Sequence, residues 1–129
     1  MGQANPINRP TSVLLVEDET LILEMVSDVL SEQGFEVHAV SNANDALRYL
    51  TAGCVVDVLF TDINLPGMDG LSLATLARQM RPALPVVYAS GRVASLAATD
   101  TVPRSEFVPK PYDPERIGTV LTKVAAQPH

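Results

Sequence analysis

Apolar residues recur along this chain in two alternating rhythms: short continuous runs, and stretches in which they return every three to four positions. The first kind reads as buried strands and the second as amphipathic helices. Ser12–Val16 is the first strand, running into Glu17-Asp18-Glu19. Ile22, Met25, Val26, Val29 and Leu30 then share one helical face, with Leu21 and Leu23 to either side and Gly34 as the stop. Phe35–Val40 is a second strand, and Ser41 or Asn42 caps a helix with Ala46, Leu47 and Leu50 inward. Val55–Asp62, broken only by Asp57 and Thr61, is a third strand leading into Asn64-Leu65-Pro66-Gly67-Met68-Asp69-Gly70. Asp69 caps the next helix, with Leu73, Leu76, Ala77 and Met80 buried and Pro82 closing it. Pro85–Ala89 is a fourth strand ending at Ser90-Gly91, and Val93–Ala98 reads as a short or irregular helix. After a loop, Glu106–Val108 is a fifth strand ending at Pro109-Lys110-Pro111. Asp113 as N-cap and Pro114 at the first helical position open a last helix that buries Ile117, Val120, Leu121 and Val124.

Strand and helix alternate throughout, which predicts an α/β fold with a parallel sheet covered on both faces. At 129 residues, 47% of them apolar, one domain can bury a core without disulfides or metals to staple it. We expect an N-terminal arm over 1–11, the domain over 12–125 and a short tail over 126–129. The single cysteine, Cys54, has no internal partner and fits a reducing, cytoplasmic setting as a small residue at a strand's start. The N-terminal residues lack the apolar core of a signal peptide, and no run is long enough to span a bilayer. A net charge of −6 disfavours nucleic acid as the main ligand. Through Asp69 there are eleven acids and two bases, and beyond it four acids and seven bases, which suggests two different faces.

Candidate chemistry follows from strand direction. Parallel strands all end at one edge, where open α/β sheets bind ligands. Glu17 and Asp18 end the first strand, Asp62 the third, Ser90 the fourth and Lys110 the fifth. Crowded carboxylates repel one another unless a cation shares them, and hard oxygen donors suit Mg²⁺. A lysine and a hydroxyl beside that ion make a site for a phosphoryl group. Singly, each residue has a plainer role: a helix-dipole partner, a turn, a solvated loop cation.

Together these residues resemble the receiver domain of two-component response regulators, over about residues 12–125. Glu17-Asp18 is similar to the family's acidic pair, Asp62 to its phosphoacceptor, and Leu65–Gly70 to the loop that follows it. Ser90 matches the switch hydroxyl, and Phe107-Val108-Pro109-Lys110-Pro111 the aromatic-x-x-Lys-Pro signature. Ser90 stands where Thr is commoner and Phe107 where Tyr is commoner, so the aromatic switch residue has no hydroxyl.

The resemblance implies a flavodoxin-like (βα)5 fold, doubly wound, with strand order 2-1-3-4-5. It implies a signalling switch of a phosphorelay, cytoplasmic and without turnover of a diffusible substrate, in which Asp62 accepts a phosphoryl group from a sensor histidine kinase or histidine phosphotransfer protein. Mg²⁺ would be held by Asp18, Asp62 and the Asn64 carbonyl, with Glu17 acting through water. Ser90, Lys110 and the N–H groups of Asn64 and Gly91 would take phosphoryl oxygens. Ser90 and Phe107 would be the switch pair, and Leu21, Leu23 and Pro111 the kinase-docking residues. The Asn64 side chain would orient an attacking water and shorten the phosphoryl lifetime. Output is expected through a protein effector rather than nucleic acid or membrane, with a phosphorylation-dependent dimer through the face of the 93–98 helix, fifth strand and last helix. No DNA-binding segment is expected after the last helix.

Two other readings compete. One is a binding module of the same fold that works without phosphorylation, against which the full set Glu17, Asp18, Asp62, Ser90 and Lys110 argues. The other is a flavodoxin-like cofactor binder or an aspartyl phosphatase. The first strand is followed by Glu17-Asp18-Glu19, not by a phosphate loop or an Asp-x-Asp pattern.

Overall fold

The computed structural model describes residues 9–90, 102–110 and 113–126. Five strands form one sheet: β1 (Ser12–Val16), β2 (Glu36–Val40), β3 (Val58–Asp62), β4 (Val86–Ser90) and β5 (Ser105–Pro109). The described helices are α1 (Thr20–Glu32), α2 (Ala43–Thr51), α3 (Gly70–Met80) and α4 (Pro114–Ala125). All strand pairs are parallel, in the order β2-β1-β3-β4-β5 that the resemblance implies. The short helix expected over 93–98 lies outside the described residues, as do Gly91 and Pro111.

Strand side chains alternate between faces, and the core divides accordingly. Leu14, Val16, Leu59, Val86 and Tyr88 meet α2 and α3 through Ala46, Leu50, Leu73 and Ala77. Val13, Leu15, Val58, Phe60, Val87 and Val108 meet α1 and α4 through Val26, Leu30, Ile117 and Leu121. The central strands are buried on both faces, which is why they are apolar runs without alternation.

Capping sets the helix starts. Asn42, rather than Ser41, caps α2, its side-chain oxygen accepting from Asp45 N–H at 2.8 Å. Asp69 accepts from Ser72 N–H at 2.8 Å, and Asp113 from Glu115 N–H at 3.1 Å with Pro114 at the first position. α1 has no side-chain cap at Glu19 and ends before Gly34, whose φ of +99° is the left-handed conformation expected there.

Four sequence expectations are corrected. Their spacing puts Met25 and Met80 on buried faces, but they are 45% and 46% exposed, and the buried positions of the two helices include Val26, Leu30, Leu73 and Ala77 instead. β3 begins at Val58, not Val55, so Cys54 lies in the preceding loop, partly buried. There Asp57 turns its carboxylate to Ser12 N–H at 2.7 Å and to the Arg9 guanidinium at 2.6 and 2.9 Å. Leu23 is half-buried, packed against the cluster that holds Val26 and Leu30, whereas Leu21 is 83% exposed.

Candidate functional site

The β1–β3 register ends at Val16 opposite Thr61, so one step further brings Glu17 level with Asp62. On the other side Asp62 pairs with Ala89, and the Ile63 N–H donates to the Ala89 carbonyl at 3.1 Å, carrying the ladder one residue past Asp62. Ser90 pairs with Pro109, which places Lys110 one residue beyond the β4–β5 ladder at the same edge. Residues up to 93 positions apart thus converge because the strands run the same way.

Ligand oxygens of Glu17, Asp18 and Asp62 all lie within 4.8 Å of one another. Lys110 Nζ donates to Asp62 Oδ2 at 2.8 Å and to Glu17 Oε1 at 3.3 Å. Each buried carboxylate also takes a backbone donor: Glu17 Oε2 from Glu19 N–H at 3.1 Å, and Asp62 Oδ1 from Asn64 N–H at 3.1 Å. Glu17 is only 1% exposed and Asp62 4%, while Asp18 is open to solvent. Burial pushes the Glu17 carboxyl above its usual range, although the Glu19 N–H and Lys110 oppose this. Burial alone would lower the Lys110 pKa, but the hydrogen bond and charge of Asp62, then those of Glu17, outweigh it and leave it raised.

The loop after β3 is held down closely. Gly70, the first residue of α3, donates its N–H to the Ile63 carbonyl at 2.9 Å. A Cβ on Gly70 would overlap the Asp62 carbonyl oxygen and stand 2.9 Å from Ile63 Cα. Only glycine lets the helix start this near the backbone of Asp62. The sequence shows Asp69-Gly70 as a turn and cap; the contact with Asp62 is a tertiary fact that no local pattern carries.

Glu17, Asp18, Asp62 and Lys110 are therefore together, as expected, with the Asn64 backbone beside them. Phe107 lies on β5, half-buried, beside Tyr88 rather than at the carboxylates. Tyr88, read from the sequence only as a strand residue, is fully buried and hydrogen-bonded through its hydroxyl to Val102 N–H at 3.2 Å. Leu21, in the first turn of α1, is the exposed apolar residue closest in sequence to the acidic pair.

Three clustered carboxylates, two of them paired with one lysine, at the carboxyl edge of a five-stranded 2-1-3-4-5 sheet mark a CheY-like α/β receiver fold with an acidic pocket. The chain belongs to the response regulator receiver domain family, whose model matches residues 13–122. It is 30% identical over 119 residues to the DNA-binding transcriptional regulator NtrC of Bradyrhizobium sp. (strain RP501 Parasponia), covering 91% of this chain and 25% of that protein. The chain thus spans about a quarter of the length of that relative. A response regulator receiver protein from Sinorhizobium medicae WSM419 superposes with a TM-score of 0.84 at 32% identity, covering 90% of this chain and 94% of the other. The chemotaxis response regulator CheY4 of Vibrio cholerae gives a TM-score of 0.80 at 25% identity, with 89% and 98% covered.

The donor chemistry fits a small hard dication. The cluster offers carboxylate oxygens only, and the exposure of Asp18 leaves a side open for water ligands, as Mg²⁺ prefers. Among the described residues no helix is long and apolar enough to cross a membrane.

Proposed function

We propose that this domain is a phosphorylation-dependent switch in which Asp62 accepts a phosphoryl group from a histidine kinase or histidine phosphotransfer protein. The observation that carries it is the Lys110–Asp62–Glu17 arrangement: a carboxylate only 5% exposed, with a cation at 2.8 Å and a second carboxylate at its side. Phosphoryl transfer passes through a loose transition state, so the protein's work is positioning and charge neutralisation.

Asp62 is already oriented by two donors, Asn64 N–H on Oδ1 and Lys110 Nζ on Oδ2. One of its oxygens attacks phosphorus in line as the bond to the donor imidazole breaks, and the imidazole nitrogen keeps the electron pair. Lys110 transfers its hydrogen bond from the carboxylate to a phosphoryl oxygen, acting as a compact point charge. Asp18, Asp62 and the Asn64 carbonyl would hold Mg²⁺, with Glu17 through water. When bound, the ion neutralises the carboxylates and phosphoryl oxygens that would otherwise repel one another.

The remaining roles rest on the family resemblance. Ser90 and Gly91 bind further phosphoryl oxygens, and Ser90 with Phe107 forms the switch pair that shifts the population between two packings. The Asn64 side chain, on an exposed residue, orients the attacking water during hydrolysis. Leu21 is the docking residue best supported by exposure, with Leu23 and Pro111 as further candidates. Output is to a protein effector, with a phosphorylation-dependent dimer as one form of it, in the cytoplasm. The domain catalyses only its own phosphorylation and dephosphorylation.

Incubation with acetyl phosphate and Mg²⁺, read by intact mass, tests this. A phosphate-sized gain in the wild type that is absent from Asp62→Ala and from metal-free protein is expected; a gain that survives in Asp62→Ala would refute Asp62 as acceptor.

A further inference from the structure

The ring that the proposed switch would move has no hydroxyl, but the ring beside it does. Tyr88 on β4 is in register with Phe107 on β5, their centroids 5.3 Å apart and their planes 31° from parallel. Tyr88 is fully buried, so a phenylalanine would satisfy the same packing without needing a polar partner. Its hydroxyl oxygen instead accepts from Val102 N–H at 3.2 Å. The Ser105 hydroxyl donates to the Val102 carbonyl at 2.8 Å, so both backbone polar groups of Val102 are held at the entry to β5. The same short segment is fastened to the end of α3. Arg104, at a φ of +58°, donates to the Pro82 carbonyl at 3.1 Å, and Arg78 donates to the Arg104 carbonyl at 3.3 Å.

We infer that Tyr88 is a positioning residue for the switch: its ring follows Phe107, and its hydroxyl carries that movement to the backbone of Val102–Ser105. A reorientation of Phe107 has to slide against the Tyr88 ring, because interiors packed at crystal density leave no slack. The polar tether missing from Phe107 is thereby supplied from the adjacent strand. Through Arg104, the surface that responds to phosphorylation extends to the loop closing α3. The inference rests on the phosphorylation switch proposed above.

Amide exchange followed by NMR on the full chain, with and without acetyl phosphate and Mg²⁺, tests it alongside intact mass. In the wild type the Val102 amide should change its exchange rate several-fold on phosphorylation. Tyr88→Phe should take up phosphate to the same extent, yet its Val102 amide should exchange about fivefold faster beforehand, as loss of one net hydrogen bond predicts, and show no further change on phosphorylation. Ser105→Ala releases the Val102 carbonyl and so loosens the same tether from β5; it serves as the second variant should Tyr88→Phe fail to fold, and it should lose the response likewise. A phosphorylated Tyr88→Phe that keeps the wild-type response at Val102, or a phosphorylated wild type with no response there, overturns the inference. No mass gain in the wild type overturns the underlying switch, and the inference with it.

Discussion

Lys110 Nζ and Asp62 Oδ2 meet at 2.8 Å although 48 residues separate them, and the same ammonium reaches Glu17 Oε1 at 3.3 Å. One cation thus holds two carboxylates that are 1% and 5% exposed. Lys110→Ala would leave both buried charges without it. Removing one side of a buried pair costs about 3–5 kcal/mol, and since Lys110 is 22% exposed and water can enter, about 2–3 kcal/mol is expected here. Urea unfolding in metal-free buffer measures that cost. Added Mg²⁺ should recover more stability in the variant than in the wild type, because it replaces the missing positive charge; an equal response in both would contradict this.

Gly70→Ala sets two effects of opposite sign against each other. Alanine favours a helix over glycine by about 1 kcal/mol, but its Cβ would overlap the Asp62 carbonyl oxygen, a backbone atom that cannot swing aside. Overpacking of this kind costs about 1–3 kcal/mol, so the variant should be less stable and should displace Asp62. Gly118→Ala is the control: its Cβ would meet only the far end of the Gln33 side chain, which can move. Thermal unfolding should show a clear loss for the first and a change within about 1 kcal/mol for the second.

Tyr88 provides a pH test. Burial, ahead of the opposing Val102 and Arg78 contacts, pushes its phenol above the ordinary value of 10.0. A raised folded-state pKa means that the unfolded chain ionises first. Stability is then intact below pH 10.0 and falls as pH rises beyond it toward the folded value. Chemical unfolding of the wild type should therefore lose up to about 1.4 kcal/mol per pH unit in that range. Tyr88→Phe should lose less over the same interval, and identical slopes would rule out a buried, neutral phenol.

Asn64 donates its backbone N–H to Asp62 and is exposed, so its side chain can reach water at the site without disturbing the core. An arginine there would cover the approach to the phosphoryl group. The dephosphorylation half-life, followed by intact mass after removal of acetyl phosphate, should lengthen several-fold in Asn64→Arg. Equal half-lives would remove the side chain from the mechanism.

The sequence made the sheet legible because the central strands are buried on both faces and so appear as unbroken apolar runs. The pocket was legible for a related reason. Parallel direction alone brings Glu17, Asp62 and Lys110 to one edge, whatever their separation along the chain. Individual exposures were less so: Met25 and Met80 fit their helical stripes by spacing, yet the neighbouring turns had already filled the contact. Leu23 strayed from the stripe and still found the core. The apolar run suggests a strand from Val55, whereas β3 starts at Val58 because Asp57 is engaged by Arg9 and Ser12, a partnership across 45 and more residues. The closeness of Gly70 to Asp62 and the tether from Tyr88 to Val102 depend likewise on packing between elements distant in sequence.

The most direct measurement is to locate the phosphoryl group itself. An aspartyl phosphate is reduced by borohydride to homoserine, so peptide mass spectrometry after acetyl phosphate treatment in Mg²⁺ identifies the acceptor by residue. Homoserine at position 62, dependent on the metal and strongly diminished in Lys110→Ala, is the predicted result. Reduction at Asp18, or anywhere other than 62, would contradict the assignment of Asp62 as the group that carries the signal.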